Sequence, residues 1–167
     1  MKVAKFLLFP LLALALSGCA GYRLGSALPA EIRTVSLEVI NKTEEPSIEV
    51  AVKKALLAEL QMDGRLEVRL ADEADADLTV TLTGYELSPT AFNRKQGTLA
   101  EEYLVTLRAS AVLRDAESGE VILEAPLLEG DADFPFSHDL TSAKRQALPA
   151  ASADLARKTV ALTAVGW

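Results

Sequence analysis

Few side chains in this 167-residue chain are suited to covalent chemistry. There is one thiol, Cys19, and one imidazole, His138. Cys19 closes the run Leu16-Ser17-Gly18-Cys19. Small residues at 17 and 18 leave the backbone open to a peptidase, and a thiol is the nucleophile that a lipid transfer requires. His138 stands beside Asp139, half of an acid–base dyad, but no nucleophile lies at a recognisable spacing, and a surface loop histidine is the simpler reading. No glycine-rich phosphate loop follows a strand pattern, and His-Glu-x-x-His is absent. Glu101 and Glu102 fall on alternate faces of a strand pattern, so they do not converge. The acidic run Asp72, Glu73, Asp75, Asp77 lacks the glycine of a calcium loop and reads as a solvated turn. These residues therefore predict no enzyme, no metal and no cofactor, and leave the thiol of Cys19 as the one side chain expected to carry covalent chemistry.

The residues before Cys19 fit that expectation. Lys2 and Lys5 form a short basic start, and Phe6 to Leu16 is an uncharged apolar run of eleven residues. A helix spanning about 30 Å of hydrocarbon needs about 20 apolar residues, so this run is too short to cross but suits a signal-peptide core. Leu-Ser-Gly-Cys in this setting resembles the bacterial lipobox. The resemblance implies that the thiol takes a diacylglycerol, that the signal is cut before Cys19, and that the new amine receives an acyl chain such as palmitate. Each buried CH₂ adds about 0.8 kcal/mol, and two or more chains make anchoring stable where one is marginal. The expected organisation is a lipoprotein signal peptide over 1–18, a lipidated tether over 19–30 (with Gly21, Gly25 and Pro29), and one domain over 31–167.

Asp and Glu outnumber Lys and Arg by 24 to 17, a net charge of −7. Loss of Lys2 and Lys5 makes the remainder more acidic still. Such a field disfavours nucleic acid and unspecific attraction to anionic lipid, so any basic contact must be local. A domain of about 150 residues buries roughly 68–70% of its unfolded surface. With Cys19 lipidated no thiol is left for a disulfide, and the core alone must hold the fold.

The elements follow from periodicity. Ile32 to Ile40 alternates and predicts a first strand. Pro46 to Met62 predicts a helix, with Pro46 in its first turn and Asp63-Gly64 as its stop. Ile48, Ala51, Val52, Ala55, Leu56 and Leu60 form its apolar stripe, while Val50 and Leu57 lie on the opposite side. Partial cover by another element is the simpler reading of that pair; a partner contact is the sharper one. Arg65 to Leu70 predicts a second strand. Leu78 to Leu87 predicts a third, with Leu78, Val80 and Leu82 on one face and Thr79, Thr81, Thr83 and Tyr85 on the other. After a loop over Ser88 to Gly97, Ala100 to Arg114 predicts a long fourth strand and Glu120 to Leu128 a fifth, whose Pro126 marks an edge. The last three strands form a meander. Gly130 to His138 is expected to be irregular, with Phe134-Pro135-Phe136 packed over the sheet. Leu140 to Val165 reads as helical, broken, kinked or restarted at Pro149. The expected fold is α+β: two helices packed on one face of a four- to five-stranded mixed, mostly antiparallel sheet.

The order of residues resembles the LPS-assembly lipoprotein family, LptE. Cys19, Gly21-Tyr22, Leu28-Pro29, Ile32, Asn41 and Thr43 form the opening. The likeness continues through Ala74-Asp75-Ala76-Asp77-Leu78, Phe92-Asn93-Arg94 and Ala100-Glu101-Glu102-Tyr103, and ends with Asp154-Leu155-Ala156 and Trp167. It implies an outer-membrane, periplasm-facing lipoprotein of lipopolysaccharide transport, the plug and assembly partner of a large LptD-type β-barrel. Ala20, where an aspartate would signal inner-membrane retention, agrees with outer-membrane sorting. The family is thought to bind lipopolysaccharide through basic residues; the matching position is Arg94, with Lys95 nearly as good, and Lys144 and Arg145 as a second basic contact. Arginine can hold phosphate bidentately and lysine as a point charge. The alternative is a lipoprotein that docks on and regulates another envelope protein, such as a cell-wall synthase.

Overall fold

The structure, a computed structural model, describes residues 28–29, 31–92, 100–135 and 140–165. Its elements are β1 (Thr34–Asn41), α1 (Ile48–Asp63), β2 (Glu67–Val68), β3 (Ala76–Phe92), β4 (Ala100–Asp115), β5 (Val121–Pro135) and α2 (Leu140–Val165). The five strands form one sheet in the order β2-β1-β3-β4-β5. β1 runs parallel to both β2 and β3, and β3, β4 and β5 form an antiparallel meander. Both helices pack on the same face, as the α+β expectation requires.

β4 is bonded on both sides along nearly its whole length, and its inward row Val105, Leu107, Ala109, Ala111 and Leu113 is buried. Its neighbours stay in phase with that row by each adding one residue. In β3, Leu82 pairs with Ala109 but Gly84 already pairs with Arg108. The extra residue, Thr83, reverses the alternation. Leu78, Val80 and Leu82 face inward before it, and Tyr85 and Leu87 face inward after it, opposite Leu107 and Val105. This corrects the expectation that Tyr85 shares a face with the threonines.

In β5, Ala125 pairs with Ala111 and Leu128 with Ala109, so Pro126-Leu127 form the second irregularity. β5 is an edge strand, as Pro126 suggests, but it does not end there. The segment after Gly130, expected to be irregular, continues as strand to Pro135 because β4 offers a bonding partner as far as Glu102. Phe134 is buried and stacks on Tyr103 at 5.9 Å between ring centroids; Phe136 lies outside the described residues. For the same reason Ser88 to Phe92 is strand rather than loop. The second strand, by contrast, shrinks to two paired residues, and Leu70 is left 71% exposed.

α1 buries Ile48, Val52, Leu56 and Leu60 and ends at Gly64, whose φ of 71° closes the C-terminus through an N–H bond to the Leu60 carbonyl at 3.0 Å. It begins two residues later than expected. Ser47 has φ 65°, a left-handed conformation that separates Pro46 from the helix. α2 runs without a break through the exposed Pro149. Its buried row is made of small residues, Ala147, Ala151, Ser152 and Ala156, with Leu155, Thr159 and Val160. The small residues let the helix lie directly on β5. A Cβ on Gly130 would sit 2.5 Å from both the Ala151 carbonyl oxygen and the Leu155 Cβ.

α2 also covers the outer edge of β5. The Asp131 N–H donates to Asp154 Oδ2 at 3.1 Å, and Lys158 Nζ donates to the Glu129 carbonyl at 2.7 Å. Lys158 and Asp154 pair with each other at 2.7 Å. The hydrogen bond that Lys158 donates to Asp154 raises the Lys158 pKa, so the charges are held on the two groups that cap Asp131 and Glu129 of the strand. At the opposite end of the sheet Asp75 accepts from the backbone N–H of Arg33 at 3.0 Å and of Thr34 at 2.8 Å, which fixes the start of β1. The Arg33 N–H leads the causes that hold this carboxyl below its ordinary range.

Gly130→Ala should destabilise the domain by about 2 kcal/mol, because the new methyl must displace helix backbone rather than a mobile side-chain end. Urea unfolding followed by far-ultraviolet circular dichroism measures this. Gly119→Ala measures a different cost, because nothing lies within 4 Å of its added Cβ but its φ of 72° is strained for alanine.

Candidate functional site

The reversal of phase at Thr83 puts Tyr85 on the helix-bearing face, where the chain also brings Glu45 from the loop before α1 and Lys144 from the first turns of α2. The Lys144 ammonium lies 5.3 Å from the centroid of the Tyr85 ring and 3.5 Å from a Glu45 carboxylate oxygen. The ring face attracts the cation, and the carboxylate holds it from the other side. Burial raises the Tyr85 pKa first, and the nearby Glu45 charge adds to it. The phenol therefore stays protonated through the neutral range and can donate a hydrogen bond.

These three residues border two adjoining cavities. One, of about 340 Å³, is lined by Pro46, Ser47, Ile48, Arg145 and Leu148 in addition. The other, of about 610 Å³, extends past Lys42, Thr43, Glu44, Gly84 and Leu87. Asn41 shapes the loop between them: its side-chain amide donates to the Glu45 carbonyl at 2.9 Å and to Glu49 at 3.0 Å, and its oxygen accepts from the Thr43 N–H at 2.9 Å. Arg145 is exposed and makes no ion pair among the described residues. Proline at 149 has no N–H to offer the Arg145 carbonyl one helical turn back, so that backbone oxygen is also released from the ladder. The result is an open groove that brings together a half-neutralised lysine, a guanidinium with no ion pair among the described residues, a phenol, the carboxylates of Glu44 and Glu45, and the apolar side chains of Pro46, Ile48 and Leu148.

Two of the four basic residues expected from sequence, Lys144 and Arg145, thus meet at this groove. Arg94 and Lys95 lie outside the described residues, as do Cys19 and His138. Sequence reasoning missed Tyr85 and Glu45 as groove residues. The signal for Tyr85 was Gly84, since a glycine inside a strand pattern marks a bulge. Gly84 has a second role on the outer face, where Arg108 lies beside it and pairs with Glu86 and Glu129, each at 2.9 Å. Among the described residues no group of three or more His, Cys, Asp or Glu could hold a metal ion. No described helix is long and apolar enough to cross a membrane.

The family model described as LptE, lipopolysaccharide-assembly, matches residues 32–162. Several solved structures share the fold. A minor lipoprotein from Acinetobacter baumannii is 18% identical at a TM-score of 0.53, with 81% of this chain and 92% of that one covered. Lipoprotein B from Nitrosomonas europaea is 17% identical at a TM-score of 0.51, over 87% of this chain and 92% of that one. A Xanthomonas campestris protein is 12% identical at a TM-score of 0.55, over 79% and 83%. No curated protein matches by sequence.

Glu45→Gln should lower the Tyr85 pKa back toward its ordinary 10.0 by removing the adjacent negative charge while leaving the ring buried. Ultraviolet titration of phenolate absorbance, with Tyr85→Phe to isolate this ring, reads the shift. An unchanged titration would mean that burial alone sets it.

Proposed function

The chain belongs to the LptE lipopolysaccharide-assembly family, and we propose that it serves there as a noncatalytic lipoprotein, anchored in the outer membrane through Cys19, that partners an LptD-type β-barrel and holds lipopolysaccharide. The family match carries the reading. The groove at Lys144 and Arg145 supports its ligand half, because lipopolysaccharide combines phosphate groups with acyl chains and the groove sets two cationic side chains, one of them paired with Glu45, beside the apolar side chains of Pro46, Ile48 and Leu148. Arg145 is the stronger candidate of the two. Its guanidinium makes no ion pair among the described residues and can grip a phosphate bidentately, whereas Lys144 must first give up part of its contact with Glu45.

The proposed organisation keeps the sequence boundaries: signal over 1–18, tether over 19–30, domain over 31–167. Ile32 and Leu28, both buried, start the packed region close to the last of these boundaries. The lipid on Cys19 supplies membrane attachment. Arg94 and Lys95 are proposed as a second cationic contact for the glycolipid. No side chain is assigned a catalytic role, and the work of the protein lies in shape and binding.

Native protein extracted in mild detergent should co-purify with a large β-barrel; a free monomer under those conditions would defeat the partnership. Cys19→Ser should move the protein out of the membrane fraction, read by fractionation and by the mass of the mature N-terminus. Charge reversal at Arg145, or at Arg94 together with Lys95, should weaken lipopolysaccharide binding at least about tenfold, or about 1.4 kcal/mol, with barrel co-purification retained. Unchanged glycolipid affinity in the combined variant would remove these residues from the site.

A further inference from the structure

β1 has one side fully paired and one side mostly open. On the open side, the Glu67 N–H donates to the Arg33 carbonyl at 2.9 Å and the Arg69 N–H to the Val35 carbonyl at 3.0 Å, and there β2 stops. Strand alternation carries the next outward N–H and C=O groups to Leu37 and Val39. Among the described residues no strand lies beyond them. α1 passes over this edge, and the space between them is a groove. One cavity, of about 510 Å³, is lined by Val39, Val50 and Leu57; the next, of about 620 Å³, runs from Leu57 past Leu37 to Leu70. Val50 is 65% exposed. The pair that the helix stripe left over, Val50 and Leu57, therefore borders an open backbone edge.

Two observations define what would fill it. Unpaired backbone donors and acceptors in a row recognise an extended chain, whose alternate side chains would enter the apolar space under α1. The rim is mixed on the sheet side, with Glu38 and Asp77 beside Arg69 and Arg114, and two lysines of α1 are what would select for acid. Lys53 lines both cavities and Lys54 the first, both are exposed, and neither makes an ion pair among the described residues. Glu49, the carboxylate nearest in sequence, already accepts from Asn41. We propose that the β1 edge is a docking site for an extended acidic segment of another protein, added as a strand beside Leu37 and Val39. Leu37 to Asn41 offers about 17 Å, room for a strand of about five residues. Pairing of two β1 edges about a two-fold axis would set Lys53 and Lys54 of one copy near those of the other, so like charge disfavours a second copy as the occupant. The site uses none of the groups at Lys144 and Arg145 and is independent of the glycolipid reading.

Photo-crosslinking in intact cells tests this on the full chain. Benzoylphenylalanine replaces Val50, and in a control Met62, which is 75% exposed on the same helix but borders neither cavity. The expected result is an adduct from position 50 and not from 62. Its digest should map to a segment of another protein with alternating apolar residues and at least one Asp or Glu. Lys53→Glu with Lys54→Glu should cut its yield at least about tenfold, and Lys53→Arg with Lys54→Arg should keep it. A synthetic copy of the segment should slow hydrogen exchange at the Leu37 and Val39 amides, and a copy N-methylated at alternate residues should not. No adduct from position 50, an adduct only to a second copy or to residues 1–27 of the same chain, or indifference to charge reversal or N-methylation would overturn the proposal.

Discussion

Everything in this domain is fitted to one long strand. β4 is bonded on both sides, and the face it turns toward the helices must stay apolar over that whole length. Strand alternation has a strict period of two, so any mismatch in a neighbour would turn its apolar residues to the solvent. Both neighbours solve this by inserting a residue, β3 at Thr83 and β5 at Pro126-Leu127. These two insertions keep the buried row of β4 matched on both sides; the ladders shift register again nearer their ends, between Pro89 and Phe92 and between Leu113 and Arg114. The insertion in β3 also creates the groove, since Tyr85 reaches Lys144 only because the phase changes just before it.

The helices meet different demands. α1 uses a stripe of large aliphatic residues and packs over β1 and β2 and against α2. α2 uses alanine, serine and threonine, so that its backbone can come within contact of Gly130. Thr159 and Thr163 return their hydroxyls to carbonyls of their own helix at 2.8 and 2.7 Å, which makes them acceptable in the interior. Close approach then lets Asp154 and Lys158 reach the backbone of β5. A helix with bulkier inward residues would stand too far off to do this. Packing, edge protection and the position of Arg145 at the groove thus follow from the same run of small side chains.

Much of this was legible in the order of residues. Both helices, the meander and the two-layer α+β arrangement each rest on local periodicity, and local periodicity survives folding. What was not legible depends on partners far away in the chain. Gly130 looks like a breaker until a helix twenty residues on is seen lying against it. Ser88 to Phe92 and Gly130 to Pro135 have loop composition but are held as strand by β4. Arg65 to Leu70 alternates well but has only two residues paired, because alternation supplies a face and not a neighbour. In the groove, Lys144 and Arg145 could be named from charge and resemblance. Tyr85 and Glu45 could not, because their meeting depends on one inserted threonine and on the loop that Asn41 organises.

The two ends of the sheet are treated unequally. At β5 the outward amide and carbonyl are occupied by Asp154 and Lys158, while along β1 beyond Val35 no strand follows among the described residues. At the β5 end one N–H and one C=O are already held by side chains of α2, so a strand arriving there would have to displace a paired Asp154 and Lys158, which it need not do along β1. The two edges thus differ in what a newcomer must give up in order to join them.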